Sequence, residues 1–199
     1  MPKKQPTTAI SSTMILLFCL LVQSCFFKKK GNRLITRPMK GTITRGYSTK
    51  EDLGNKIWLA NDSKNRAENM MIVDLLRKDM GRISEICSVK VTKFCEVEQY
   101  STVWQMTSTI ESQLQSDKSL LDIFLPFFTV GQLSELQRLR QWRLSIKLEK
   151  QPRGVYCGTI GICLLNGDAI FNIGICIIQK PGNQAIYGAG GGITWGECL

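Results

Sequence analysis

Pro152-Arg153-Gly154-Val155-Tyr156-Cys157-Gly158-Thr159-Ile160-Gly161 opens the C-terminal region, whose reading decides the fold class. Two apolar runs follow, Val155 to Leu165 and Ala169 to Gln179, separated by Asn166-Gly167-Asp168. A short Asn-Gly-Asp cluster between β-branched runs is a hairpin signal. Pro181-Gly182-Asn183 supplies the next turn, and Ala185 to Trp195 reads as a third strand. Upstream, Leu133, Leu136, Leu139, Trp142, Ile146 and Leu148 recur every three or four residues, which predicts an amphipathic helix before Pro152. Asp62 to Met80 reads as a second helix, with Met70, Met71, Val73 and Leu75 at helical spacing and Gly81 as its stop. Ser88 to Val97 alternates as a strand does, and Thr102 to Gln115 reads as a further helix. The sum is an α+β chain, with antiparallel sheets, flanking helices and a C-terminal three-stranded meander.

The N-terminus admits two readings. An apolar run from Met14 to Val22 follows Lys3 and Lys4 and precedes Cys25. It has the charge and length of a short export signal, with Cys25 as a lipid anchor. It also fits a buried strand that continues into Cys25-Phe26-Phe27, turns at Lys30-Gly31-Asn32 and returns as Arg33-Leu34-Ile35-Thr36. The run is too short to span a bilayer. The return segment supplies a hairpin partner, so the strand is preferred and no membrane association is expected. Residues Met1 to Thr13 are polar and expected to be loose, leaving 14–199 as one domain.

The 199 residues suffice for one domain with a sizeable core. A net charge of +10 favours anionic partners, whether nucleic acid, a membrane surface or a dicarboxylate. The basic residues are scattered, however, without aromatic interleaving, so nucleic acid is not the expected partner. Lys28-Lys29-Lys30, the densest run, reads as the solvated tip of a hairpin. The sequence has no histidine, which removes the commonest general base and metal ligand. Its eight cysteines include no Cys-x-x-Cys pair, which argues against zinc. They read as reduced core thiols of a cytoplasmic protein, Cys157 among them, and Trp195 also reads as core.

Four segments, in order, carry a resemblance. Thr36-Arg37-Pro38-Met39-Lys40-Gly41-Thr42 is similar to a TRPxKGT motif. Asn65-Arg66-Ala67-Glu68-Asn69-Met70-Met71-Ile72-Val73-Asp74-Leu75-Leu76-Arg77 is similar to RAENLMIVDLLRND, with Lys78 in place of asparagine. Glu96 to Ser108 is similar to EVExYSTVWQMTS, and the C-terminal region joins PRGVYCGTIG to Tyr187-Gly188-Ala189-Gly190-Gly191-Gly192-Ile193-Thr194-Trp195. Together they resemble the chorismate-utilising enzymes, in particular the aminodeoxychorismate synthase component I branch that serves para-aminobenzoate and folate synthesis. The resemblance covers residues from about Phe26 to Trp195 and implies a partial chorismate-utilising-enzyme fold.

It further implies amination of chorismate to 4-amino-4-deoxychorismate, with Mg2+ as cofactor and ammonia from a glutamine amidotransferase subunit. Lys40 matches the lysine that adds covalently to the ring, and burial beside cations such as Arg37 is expected to ease loss of its proton. Glu68 matches a magnesium ligand, a role that suits a hard carboxylate oxygen; read without the motif, it is a carboxylate near a helix start. Gly190, Gly191 and Gly192 would let backbone N–H groups approach a substrate carboxylate. Ser134, Gln105 and Tyr156 are expected to line the substrate site. The departures are as specific. Gly131 to Arg138 replaces a GSITGAPK segment, Ser24 stands where SPE places an acid–base glutamate, and Cys176 replaces an arginine that pairs with a substrate carboxylate. The acidic tail that carries a further magnesium ligand and the family's N-terminal region have no counterpart. A second expectation is therefore a truncated relative, catalytically impaired or inactive, that acts at most as a chorismate-binding or interaction module.

Overall fold

The computed structural model describes residues 10–13, 16–20, 25–128, 143–144, 147–149, 153–175, 177–181 and 184–189. The larger sheet is antiparallel and has seven strands. In chain order they are β3 (Cys25–Lys30), β4 (Arg33–Arg37), β5 (Met39–Thr44), β6 (Lys90–Gln99), β7 (Val103–Gln113), β8 (Thr159–Cys163) and β9 (Ala169–Ile173). With β1 (Ile10–Thr13) and β2 (Leu16–Leu20) before them and β10 (Ile177–Pro181) and β11 (Ile186–Tyr187) after, a second sheet runs β1-β2-β10-β11. The helices are α1 (Thr49–Asn61), α2 (Ser63–Gly81) and α3 (Leu120–Phe128).

β7 is the spine of the larger sheet. β6 pairs with one of its edges, while β4 and β5 share the other. The break between β4 and β5 falls at Pro38, which has no N–H to give the ladder. Its carbonyl still accepts the Ser108 N–H at 3.1 Å. Outward from β4 come β3, β9 and β8. The residues read as a helix over 102–115 are thus a central strand. They are buried on both faces from Trp104 to Ile110, so polar Gln105, Thr107 and Ser108 lie inside and no polar-out alternation survives in the sequence.

α2 follows its apolar stripe. Val73, Leu76 and Met80 pack with Phe26, Phe27, Leu34, Ile110 and Leu114, and Ile123 of α3 closes the cluster. Asp62 ends α1 and caps α2, accepting the Asn65 N–H at 2.8 Å. α1 escaped the periodicity reading because its exposed face carries Leu53, Ile57 and Trp58. Its start is nevertheless signalled by Ser48 and Glu51: Ser48 Oγ caps the helix by accepting the Glu51 N–H, and Glu51 accepts the N–H of Tyr47, the residue before the cap. Asp52 then ties α1 to the sheet. It takes two hydrogen bonds from Arg45 at 2.6 Å and one from Trp104 Nε1 at 2.8 Å. Those donors hold its carboxyl well below the usual carboxylate range, the Arg45 hydrogen bonds contributing most.

The hairpin at Lys28-Lys29-Lys30 turns at Gly31 and Asn32 as expected and is solvated. Its tip meets the β8–β9 turn, where Gly31 N–H donates to Asp168 at 2.8 Å and Lys29 Nζ to the Gly167 carbonyl at 3.0 Å. Three further expectations change. The Met14–Val22 run and the Cys25 strand, expected as one strand, contribute β2 and β3 to different sheets. Ile10–Thr13, within the segment expected to be loose, forms β1. The C-terminal meander is divided: β8 and β9 join the larger sheet and β10 and β11 the smaller, with the break at Gly174, where a Cβ would sit 2.5 Å from the Val155 carbonyl. The helix before Pro152 is seen at Arg143, Leu144, Lys147 and Leu148; its remaining positions lie outside the described residues. Among the described residues, no helix is long and apolar enough to cross a membrane.

Candidate functional site

Two of the three strands paired with β7, β5 and β6, bulge, and α2 rides over the bulges. On β5, Met39 pairs with Thr107 and Thr42 with Gln105, so Lys40 and Gly41 together oppose the single Met106. On β6, Lys93 pairs with Thr109 and Glu96 with Thr107, so Phe94 and Cys95 together oppose Ser108. A bulge inserts one residue, kinks its strand and re-aims a side chain. Gly41 takes a φ of 88°, and a Cβ there would meet the Asn65 side chain at 3.0 Å. Only glycine gives that backbone turn and that close seat for α2.

The first bulge presents Lys40 to α2. Its Nζ lies 3.9 Å from Glu68 Oε2, with both side chains partly exposed. Two residues expected from separate motifs to carry the chemistry are therefore brought together. The expected neighbour of Lys40 differs: Arg37 is engaged in an ion pair with Glu98, and the group beside Lys40 is a carboxylate. Tyr100 stands close to the Arg37–Glu98 pair, and burial raises its phenol above the ordinary value.

The second bulge meets Asn69, the residue after Glu68. Cys95 has a φ of 51°, unusual for a residue with a Cβ. Its N–H donates to Ser108 Oγ at 3.0 Å, and the Ser108 hydroxyl donates to Asn69 Oδ1 at 2.5 Å. The Cys95 thiol is 3.7 Å from the same oxygen. Asn69 is fully buried, and its Nδ2 has no hydrogen-bond partner. Sequence reasoning did not single out Asn69, Ser108 or Cys95; a polar residue on the buried stripe of α2 was the available signal.

Gln105 is buried, between Thr42 of β5 and Glu98 of β6. It projects from the face of β7 opposite Met106 and Ser108, since successive strand residues alternate. The structure therefore does not place it on the Lys40–Glu68 side. Tyr156 packs on the start of the glycine segment: a Cβ at Gly188 would sit 2.4 Å from its ring. Ser134, Gly190, Gly191 and Gly192 lie outside the described residues, as do Ser24, Cys176 and Trp195. Cys157, expected in the core, is exposed in a turn at a φ of 61°. The other thiols correct the same expectation. Among the described side chains only Cys95 is buried; Cys25 is half-buried at the start of β3, where burial raises its thiol, and Cys87 and Cys163 are exposed.

For a divalent cation, the described residues contain no cluster of three or more Cys, Asp or Glu groups able to hold one. Glu68 offers a single hard carboxylate. Magnesium commonly takes one or two protein carboxylates and completes its shell with substrate oxygens and water, so this donor set fits a substrate-shared ion but not a closed protein site.

Comparison with known proteins places these features. The family model described as chorismate binding enzyme matches residues 24–196. The chain is 38% identical over 166 residues to aminodeoxychorismate synthase component 1 of Bacillus subtilis, covering 83% of this chain and 35% of that protein. It is 37% identical over 165 residues to anthranilate synthase component 1 of Mycolicibacterium smegmatis, covering 83% and 32%. Among solved structures, anthranilate synthase component I from Streptococcus pneumoniae superposes with a TM-score of 0.73 at 30% identity, covering 86% of this chain and 38% of that one. The chain thus spans about a third of the length of these relatives. With the family model matched over residues 24–196 and the fold shared with a solved relative at 30% identity, this chain belongs to the chorismate-binding enzyme family.

Proposed function

We propose that this chain carries part of an aminodeoxychorismate synthase component I site, and acts on chorismate to give 4-amino-4-deoxychorismate. The observation that carries the reading is Lys40 in its bulge, 3.9 Å from Glu68. Resemblance to the aminodeoxychorismate synthases, at 36–39% identity, supports the branch. In this reading Lys40 Nζ, once deprotonated, adds covalently to the chorismate ring. The new C–N bond forms as the C–O bond breaks, and the departing oxygen takes a proton and leaves as water. Ammonia then displaces the lysine and regenerates its amine. A glutamine amidotransferase partner is the source of that ammonia. Glu68 would hold Mg2+ jointly with a substrate carboxylate, and the ion, when bound, would neutralise charge on the dianion. Gly190, Gly191, Gly192, Ser134 and Tyr156 would receive the remainder of the substrate, in a protein acting in the cytoplasm.

A second reading is a chorismate-binding module without turnover. Ser24 in place of the acid–base glutamate and Cys176 in place of the carboxylate-pairing arginine favour it. Each loss of a charge-assisted contact costs about 1.5–3 kcal/mol. An assay with chorismate, ammonia and magnesium separates the two. Aminated product that disappears in Lys40→Ala supports the first; binding without product supports the second.

A further inference from the structure

We propose that Asn69 is a positioning residue that sets the rotation of α2 on the β6 bulge, and so aims Glu68 at Lys40. Its link to catalysis rests on the function proposed above; its geometry does not. The stripe of α2 that packs into the core is mainly apolar, through Val73, Leu76 and Met80, although Asp79 is also buried and Asn65 faces the β5 bulge. Asn69 is one turn earlier on the same stripe and is buried as completely as Met80, yet it is polar. Its Nδ2 is unpaired, and its Oδ1 is held by Ser108 Oγ and approached by the Cys95 thiol. Cys95 itself occupies a left-handed backbone conformation at 51°. Two costs, an orphaned buried amide and a left-handed non-glycine residue, thus coincide at one contact. A leucine at 69 over a regular β6 would pack without either. Such local costs concentrate where geometry matters more than stability.

What the contact supplies is angular register. The next bulge along, at Lys40-Gly41, seats Asn65 of α2, one turn before Asn69. Glu68 lies between these two anchors. A side chain rides about 5–6 Å from a helix axis, so a rotation of 20° moves its end by about 2 Å. That is enough to carry Glu68 Oε2 out of its 3.9 Å contact with Lys40. Apolar packing at Val73 and Met80 tolerates such a rotation better than a hydrogen bond does, because it is not directional.

The test is a crystal structure, with magnesium and chorismate titrations, of the full chain carrying Asn69→Leu with Ser108→Ala. Removing both partners leaves no orphaned group between residues 69 and 108, while the Cys95 N–H loses its Ser108 acceptor in every variant that carries Ser108→Ala. The expected result is a folded protein in which Glu68 and Lys40 are more than 4 Å apart. Magnesium's enhancement of chorismate affinity should fall at least tenfold. Should the double variant fail to fold, Ser108→Ala alone removes one oxygen atom, leaves α2 untouched, and is expected to shift Glu68 in the same direction. Glu68 still in contact with Lys40 in a folded variant overturns the proposal. If the wild-type chain binds no chorismate, the functional reading fails, while the Lys40–Glu68 distance still decides the positioning role.

Discussion

The segment from Arg37 to Gln113 and the C-terminal strands use similar residues in opposite ways. In the first, polar groups go inside: Asn69, Gln105, Thr107 and Ser108 are all buried around β7. In the second, apolar groups stay outside: Ile162, Leu164 and Leu165 of the β8–β9 hairpin and Ile186 and Tyr187 of β11 are exposed. Burying a polar group is costly unless it is paired, whereas scattered surface hydrophobes are tolerated. The contrast favours the first region as the place of the proposed chemistry. The first region sustains an orphaned amide at Asn69, register shifts on β5 and β6 and left-handed backbone around Lys40 and Glu68. The second offers apolar strand faces within a chain that spans a third of its relatives' length.

The comparison breaks most directly at Lys40. Lys40→Ala is expected to lower ammonia-dependent amination by about 10²–10⁴-fold, the scale of losing a positioned reactive group, with the melting temperature unchanged. A variant that retains activity removes the site from this region. Core against surface comes next. Phe27 is fully buried, with ring centroids 5.1 Å from both Phe124 and Phe171. Phe27→Ala should cost about 3–5 kcal/mol in denaturant titration, against about 0.5 kcal/mol or less for Ile162→Ser. Equal losses would show that β8 is buried in solution.

Gly41→Ala should lower stability by about 1–2 kcal/mol, since alanine must adopt φ near 88° and its Cβ presses on Asn65. An unchanged denaturation midpoint would mean that the β5 bulge relaxes freely. The smallest effect concerns acid. Asp52 is held below its unfolded value by Arg45, the Gly46 N–H and Trp104. Its contribution is therefore complete above about pH 4 and fades as pH falls through and below that value. Asp52→Asn should show a shallower loss of melting temperature between about pH 5 and pH 2 than the parent chain. Parallel curves would remove Asp52 from the acid response.

α2 was legible because its buried stripe is apolar at helical spacing for most of its length. The C-terminal hairpin was legible because Asn166-Gly167-Asp168 marks its turn. β7 was not, because a strand buried on both faces hides its period, and its Gln, Thr and Ser residues read as a helix surface. α1 was overlooked although Ser48 and Glu51 announce it. The bulges could not be read at all: each is a mismatch of register between strands distant in sequence, with no local mark beyond Gly41. The motif resemblance singled out Lys40 and Glu68 separately. Their contact depends on a bulge on one strand and the rotation of a helix, neither of which composition or spacing encodes.

The central claim is that this chain presents a chorismate site built on Lys40 and Glu68. The most direct measurement is calorimetric titration of the purified chain with chorismate, with and without magnesium, alongside Glu68→Gln. The account predicts binding that magnesium strengthens in the parent and no longer strengthens in Glu68→Gln. A folded chain that binds no chorismate under either condition would contradict it.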